Sequence, residues 1–186
     1  PNQMLIVTHP LFLDAADSVA AFHRKKDNLS VMVATTSQVY NEFSSGAPDV
    51  SAIRDFAKMI YDRASGDEDR LKYLLLFGDG SYNNISQDPG NSNYILTYQS
   101  ESSLNASTSY VSDDFFGFMG DNEGGSETME GFSLDLGVGR LPAKTAAEAA
   151  ALYTKIRTYN TRQNMLDWRN NLLFVGDDED GGLHME

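Results

Sequence analysis

The sequence predicts an α/β fold, a mostly parallel sheet with helices on both faces, and three observations carry that expectation. Short apolar runs bounded by breakers alternate with stretches of helical periodicity through the first 77 residues. One of them, YLLLF at Tyr73–Phe77, is continuously apolar, as strands are when helices cover both sides of a sheet. The order strand, helix, strand, helix, strand favours right-handed crossovers in a layered α/β arrangement.

Each element follows from its residues. The run Met4–Thr8 ends at His9-Pro10, a buried strand closed by a turn. Residues 14–23 place Ala15, Ala16, Val19 and Phe22 at helical spacing. Residues 29–34, LSVMVA, read as a second strand, and TTSQVYNEF after them as a short helix capped by Thr or Ser. Ile53, Phe56, Ala57, Ile60 and Ala64 mark an amphipathic helix over about 51–64. Further strands are expected at 94–98, 134–138 and 172–175. Thr145 and Glu148 form a capping box for a helix carrying Ala149, Leu152, Tyr153, Ile156 and Tyr159 on one side. Without an internal repeat or long linker, residues 1–186 read as a single α/β domain. The chain begins without Met and stops just after an acidic loop, and we expect a piece of a longer protein.

Charge narrows the function classes. The net charge is −13, and no Lys or Arg stands between Lys72 and Arg140. Ten carboxylates fall in that interval, among them Asp79, Asp113, Asp114, Asp121, Glu123 and Asp135. Such a field repels nucleic acid and anionic membranes, and it suits divalent cations. The plainer alternative is a solvated acidic face. No apolar run approaches the roughly 18–20 residues of a membrane span. The absence of Cys excludes disulfides, thiolate-bound zinc and a cysteine nucleophile within these residues.

Two constellations carry candidate chemistry. The strands LLLF and LLFV both run into Gly-Asp, at Gly78-Asp79 and Gly176-Asp177. If those strands are neighbours, both carboxylates face one crevice beyond the strand ends; ordinary strand-to-loop turns favour the same residues. Residues 113–123 add paired carboxylates, aromatics and Met119-Gly120-Asp121-Asn122-Glu123, the oxygen chemistry of Ca²⁺ without EF-hand spacing. Asp79-Gly80-Ser81 matches the start of an integrin-like D-x-S metal site, with Asn at position 83 where a second Ser belongs. That partial match motivates the alternative of a cation-dependent (Ca²⁺ or Mg²⁺) binding or adhesion module. His9 and His23 read as structural or solvated.

VTHPLF, QVYNEFSSG, KYLLLFGDGSYNN, NYILTYQSESS, TSYVSDDFFGFMGDNEG, LDLGVGRLPAKTAAEA and DWRNNLLFVGDDEDGGLHME occur in order over nearly the whole chain. On these segments it resembles the N-terminal part of the gingipain-type cysteine peptidase domain, most closely the sortase-like branch serving type IX secretion. The resemblance implies a caspase-like fold of two subdomains, of which this chain supplies the first, non-catalytic one. The catalytic Gly-His-Gly and Cys then belong to a C-terminal catalytic subdomain, so the chain alone is expected to be inactive. It also implies a structural Ca²⁺ held by Asp79, the carbonyl of Met119, and Asp121, Asn122 or Glu123. Asp177, Asp178, Asp180 and His184 are implied to lie near the substrate. The implied partners are that subdomain and secreted protein cargo, at the cell surface or outer membrane, or secreted, in a Gram-negative bacterium of Bacteroidetes type.

Overall fold

The computed structural model describes residues 2–85, 90, 92–100, 104–105, 109–123, 133–161 and 166–174. The chain divides into two compact units, Pro1–Thr154 and Lys155–Glu186.

The first unit is built on a parallel sheet in the order β2-β1-β3-β6, with β1 at Met4–Thr8, β2 at Val31–Thr35, β3 at Tyr73–Phe77 and β6 at Gly137–Leu141. In-register pairing puts Leu5 beside Leu74 and Val7 beside Leu76. Because side chains alternate across a strand, these four share one face. There they pack with Val39 and Tyr40 of α2 (Thr36–Phe43) and with Ala52, Ile53, Phe56 and Ala57 of α3 (Val50–Asp62). Both helices start at caps that satisfy orphan donors. Thr35 and Gln38 form a full capping box for α2, and the Asp49 carboxylate accepts the Ser51 N–H at 2.8 Å for α3.

The opposite face is covered by α1 (Leu13–Lys26) over β1 and β2. A 3₁₀ turn at Pro10–Phe12 leads into that helix, and His9 caps the turn. Over β3 and β6 this face is open. A groove of about 610 Å³ runs there with Met4, Leu29, Tyr73, Leu75, Gly137 and Gly139 in its lining. Gly137 and Gly139 of β6 face it where side chains would otherwise stand, and a Cβ on Gly139 would meet nothing within 4 Å.

A short antiparallel pair, β4 (Tyr98–Gln99) and β5 (Val111–Ser112), stands apart from the main sheet. A 3₁₀ turn at Asp114–Gly117 follows and buries Phe115 and Phe116 in the core. After β6 comes α4 (Ala146–Tyr159), whose Thr145 Oγ1 accepts the Glu148 N–H at 3.1 Å. The Glu148 carboxylate accepts from Lys144 N–H, one residue before the expected partner. The second unit contains the end of α4 and a 3₁₀ turn at Asp167–Asn170.

Three expected strands are corrected. Residues 94–97 form no strand, because Ile95 N–H donates to the Asp79 carbonyl and its own carbonyl accepts from Arg140. The strand expected at 134–138 begins instead at Gly137, since Asp135 is bound to the preceding loop through its N–H and its carboxylate. Residues 171–174 carry no regular structure, and Leu172, Leu173 and Phe174 are more than four-fifths exposed; Val175 lies outside the described residues.

The two faces of β3 differ in a measurable way. Leu76→Ala, at a fully buried position, is expected to cost about 2–5 kcal/mol in urea unfolding. Tyr73→Ser, on the open groove and 48% exposed, is expected to cost less than about 1 kcal/mol.

Candidate functional site

Strand order reverses between β1 and β3, because the chain leaves β1 toward β2 on one side and returns through β3 on the other. Crevices beyond the C-terminal strand ends at such points hold ligands in open α/β sheets. His9 follows β1 and Asp79 follows β3, so both stand at this rim.

His9 is committed to structure. Its Nδ1 accepts the Leu11 N–H at 3.2 Å, and its ring lies 5.8 Å from Phe12 and 5.0 Å from Tyr94. Burial holds the imidazole below its ordinary value of 6.5. Asp79 is engaged as well: its carboxylate accepts from the Ser92 hydroxyl and lies 3.4 Å from Lys144 Nζ. Its carbonyl accepts the N–H groups of Tyr94 and Ile95 at 3.0 and 3.1 Å. The D-x-S atoms are likewise occupied, since Ser81 Oγ donates to Asn93 Oδ1 at 2.8 Å and accepts the Asn83 N–H. Gly80 admits this close approach, for a Cβ there would collide with the Ile95 carbonyl and stand 2.8 Å from Thr97 Cγ2.

Arg140, at the end of β6, organises the rim. Its guanidinium meets Asp113 in a two-pronged pair, Nε to Oδ2 at 2.8 Å and Nη2 to Oδ1 at 2.7 Å. Nη1 donates to the carbonyls of Gly78 at 3.1 Å and Ile95 at 3.0 Å, and Nη2 reaches Leu96 at 3.2 Å. Arginine has five N–H donors in a rigid fork, and every one is used. The side chain is 13% exposed and that of Asp113 is 28% exposed. Burial first and the Asp49 charge second push the Tyr40 hydroxyl up to about 12, against the opposing effect of the Arg140 charge.

The implied Ca²⁺ ligands fall into two groups with no shared partner. Asp79 belongs to the rim. Met119, Asp121 and Glu123 belong to a loop that α3 holds: Met119 O accepts from Lys58 Nζ at 2.7 Å, Asp121 pairs with Lys58 at 3.1 Å, and Glu123 O accepts from Arg54 at 2.9 Å. Asn122 lies in the turn between Asp121 and Glu123. Among the described residues, no three His, Asp or Glu side chains come together as a metal cluster. Asp177, Asp178, Asp180 and His184 lie outside the described residues. The roles of Arg140, Arg54 and Lys58 escaped sequence reasoning. The one available signal was Arg140 itself, the first cation after Lys72, at the end of an apolar strand.

The family model described as Peptidase family C25 matches residues 1–186. The crystal structure of dimeric latent PorU from Porphyromonas gingivalis matches with a TM-score of 0.75 at 34% sequence identity, and both share a caspase-like arrangement. The match covers 97% of this chain and spans 18% of the length of that one. None of the curated proteins matches.

Two predictions test the rim. Arg140→Met leaves Asp113 without its counter-charge and is expected to destabilise by about 3–5 kcal/mol, with Asp113→Asn in the same chain restoring part of the loss. For His9, the unfolded chain binds more protons than the folded one between the depressed native value and 6.5. The stability contributed by the neutral ring is therefore intact above that window and falls as pH drops through it. His9→Asn keeps a capping acceptor and is expected to flatten this acid-side slope in denaturation curves taken across pH.

Proposed function

The chain belongs to peptidase family C25, and from that premise we propose that it forms the non-catalytic N-terminal part of a gingipain-type, PorU-like cysteine endopeptidase. The observation that carries the reading is the absence of Cys from all 186 residues. A cysteine peptidase needs a thiolate and a base within hydrogen-bond reach of it. With no Cys in the chain neither described imidazole has a thiol to activate; His9 caps a turn, and His23 on α1 pairs through Nδ1 with Asp27 at 2.7 Å. In this reading the thiol and its base come from a catalytic subdomain of the same protein, and this chain contributes a scaffold and one wall of the cleft.

The open side of the sheet supports that division of labour. Among the described residues β6 has no neighbour on its outer edge, and an unpaired edge offers a row of backbone donors and acceptors to another strand. The apolar groove beside it continues the same surface. We assign this side to the catalytic subdomain. The substrates of the whole enzyme are then secreted proteins, processed at the surface of a Gram-negative cell. No helix among the described residues is long and apolar enough to cross a membrane.

The assay compares this chain with the full-length protein on secreted cargo bearing its C-terminal secretion signal. Cleavage by the full-length protein and none by the chain is expected. Turnover by the chain alone, or none by the full-length protein, would sink the reading.

A further inference from the structure

The loop at residues 118–123 presents the oxygen chemistry that the family resemblance assigns to Ca²⁺, so its fit to that ion can be tested oxygen by oxygen. Ca²⁺ takes six to eight oxygens at about 2.3–2.6 Å in an open, adaptable shell. Four of the six carbonyls here are already bound by nitrogen. Arg54 Nε donates to Phe118 O at 2.8 Å, and its Nη2 donates to Gly120 O at 3.1 Å and Glu123 O at 2.9 Å. Lys58 Nζ donates to Met119 O at 2.7 Å. Each carboxylate has one oxygen engaged: Asp121 Oδ1 pairs with Lys58 at 3.1 Å, and Glu123 Oε2 accepts the Gly120 N–H at 2.8 Å. Asp135, the other acid at the loop, accepts the Met119 N–H at 2.8 Å.

Position and charge make this arrangement a clamp. Residues 54 and 58 stand one helical turn apart on α3, which places both cations against the same loop. The Arg54 guanidinium also lies 5.8 Å from the Phe115 ring centre, within cation–π range. Lys58 is anchored from its own helix by Asp62 at 2.9 Å. A divalent ion bound to Met119 O would stand within roughly 5 Å of that ammonium, given the Ca²⁺–oxygen distance. Like charges so close oppose one another.

We propose that residues 118–123 are held by the chain's own cations, Arg54 and Lys58, in place of a divalent metal. The donor set around this loop does not fit a resident Ca²⁺. The guanidinium and ammonium do the neutralising and positioning that a metal would do, and the loop is ordered independently of Ca²⁺. This inference does not depend on the catalytic role proposed above.

Hydrogen exchange on the full-length protein, read on peptides spanning residues 118–123, tests it. Exchange is expected to be the same in millimolar Ca²⁺ and in EGTA. Arg54→Gln and Lys58→Gln are each expected to speed exchange at Met119 and Gly120, by about tenfold where a charge-assisted bond is lost. Lys58 makes one bond to the loop backbone where Arg54 makes three, so Lys58→Gln reports even if Arg54→Gln fails to fold. Protection that rises with Ca²⁺ and disappears in Asp121→Asn/Glu123→Gln would overturn the proposal. So would unchanged exchange in Lys58→Gln.

Discussion

The Arg140 guanidinium is the interaction on which the strand-end rim depends. A five-donor group with only a small exposed fraction needs a partner for each N–H, because an unpaired buried donor costs about 1–3 kcal/mol and more when charged. The five partners lie on three separate pieces of chain: the turn after β3, the segment at residues 95–96, and Asp113 before the aromatic turn. None of these partners lies in a helix or strand. The fork geometry ties them to one another, which is a task Lys could not take over.

A second use of positive charge runs parallel to the first. The interval from Lys72 to Arg140 is free of Lys and Arg in sequence, yet in space cations surround it. Arg140 enters at the rim and Lys144 near Asp79, while Arg54 and Lys58 approach from α3. The acidic interval is thus partly neutralised by residues that flank it in sequence or come from an earlier helix. Among the described residues, the carboxylates of Asp79, Asp113, Asp121, Glu123 and Asp135, which look free along the chain, each have a partner in the fold.

This explains which parts of the structure were legible in the sequence. The strands Met4–Thr8 and Tyr73–Phe77 were readable because continuous apolar content is a local property. Helix α3 was readable because Ile53, Phe56 and Ala57 fall on one face. Ile95 and Leu96 misled because they are buried beneath the rim without being paired in a sheet. Leu134 and Leu136 misled for another reason: both precede the strand, which starts where Gly137 N–H finds the Lys72 carbonyl, with Leu134 about half exposed and Leu136 buried. The cation clamp was invisible for the complementary reason. Arg54 and Lys58 occupy helix positions that a pattern of apolar residues assigns to solvent.

The span of the contacts made by Arg140 bears on how the rim comes apart. Its partners lie 62 positions away at Gly78, 45 at Ile95 and 27 at Asp113. Each bond therefore closes a long loop, although the entropy of closure grows only slowly with length. Pairing of β3 with β6 already sets Gly78 beside Leu141, so the bond to Gly78 needs no long closure of its own. The loops to Ile95 and Asp113 are the ones whose ordering the guanidinium has to offset.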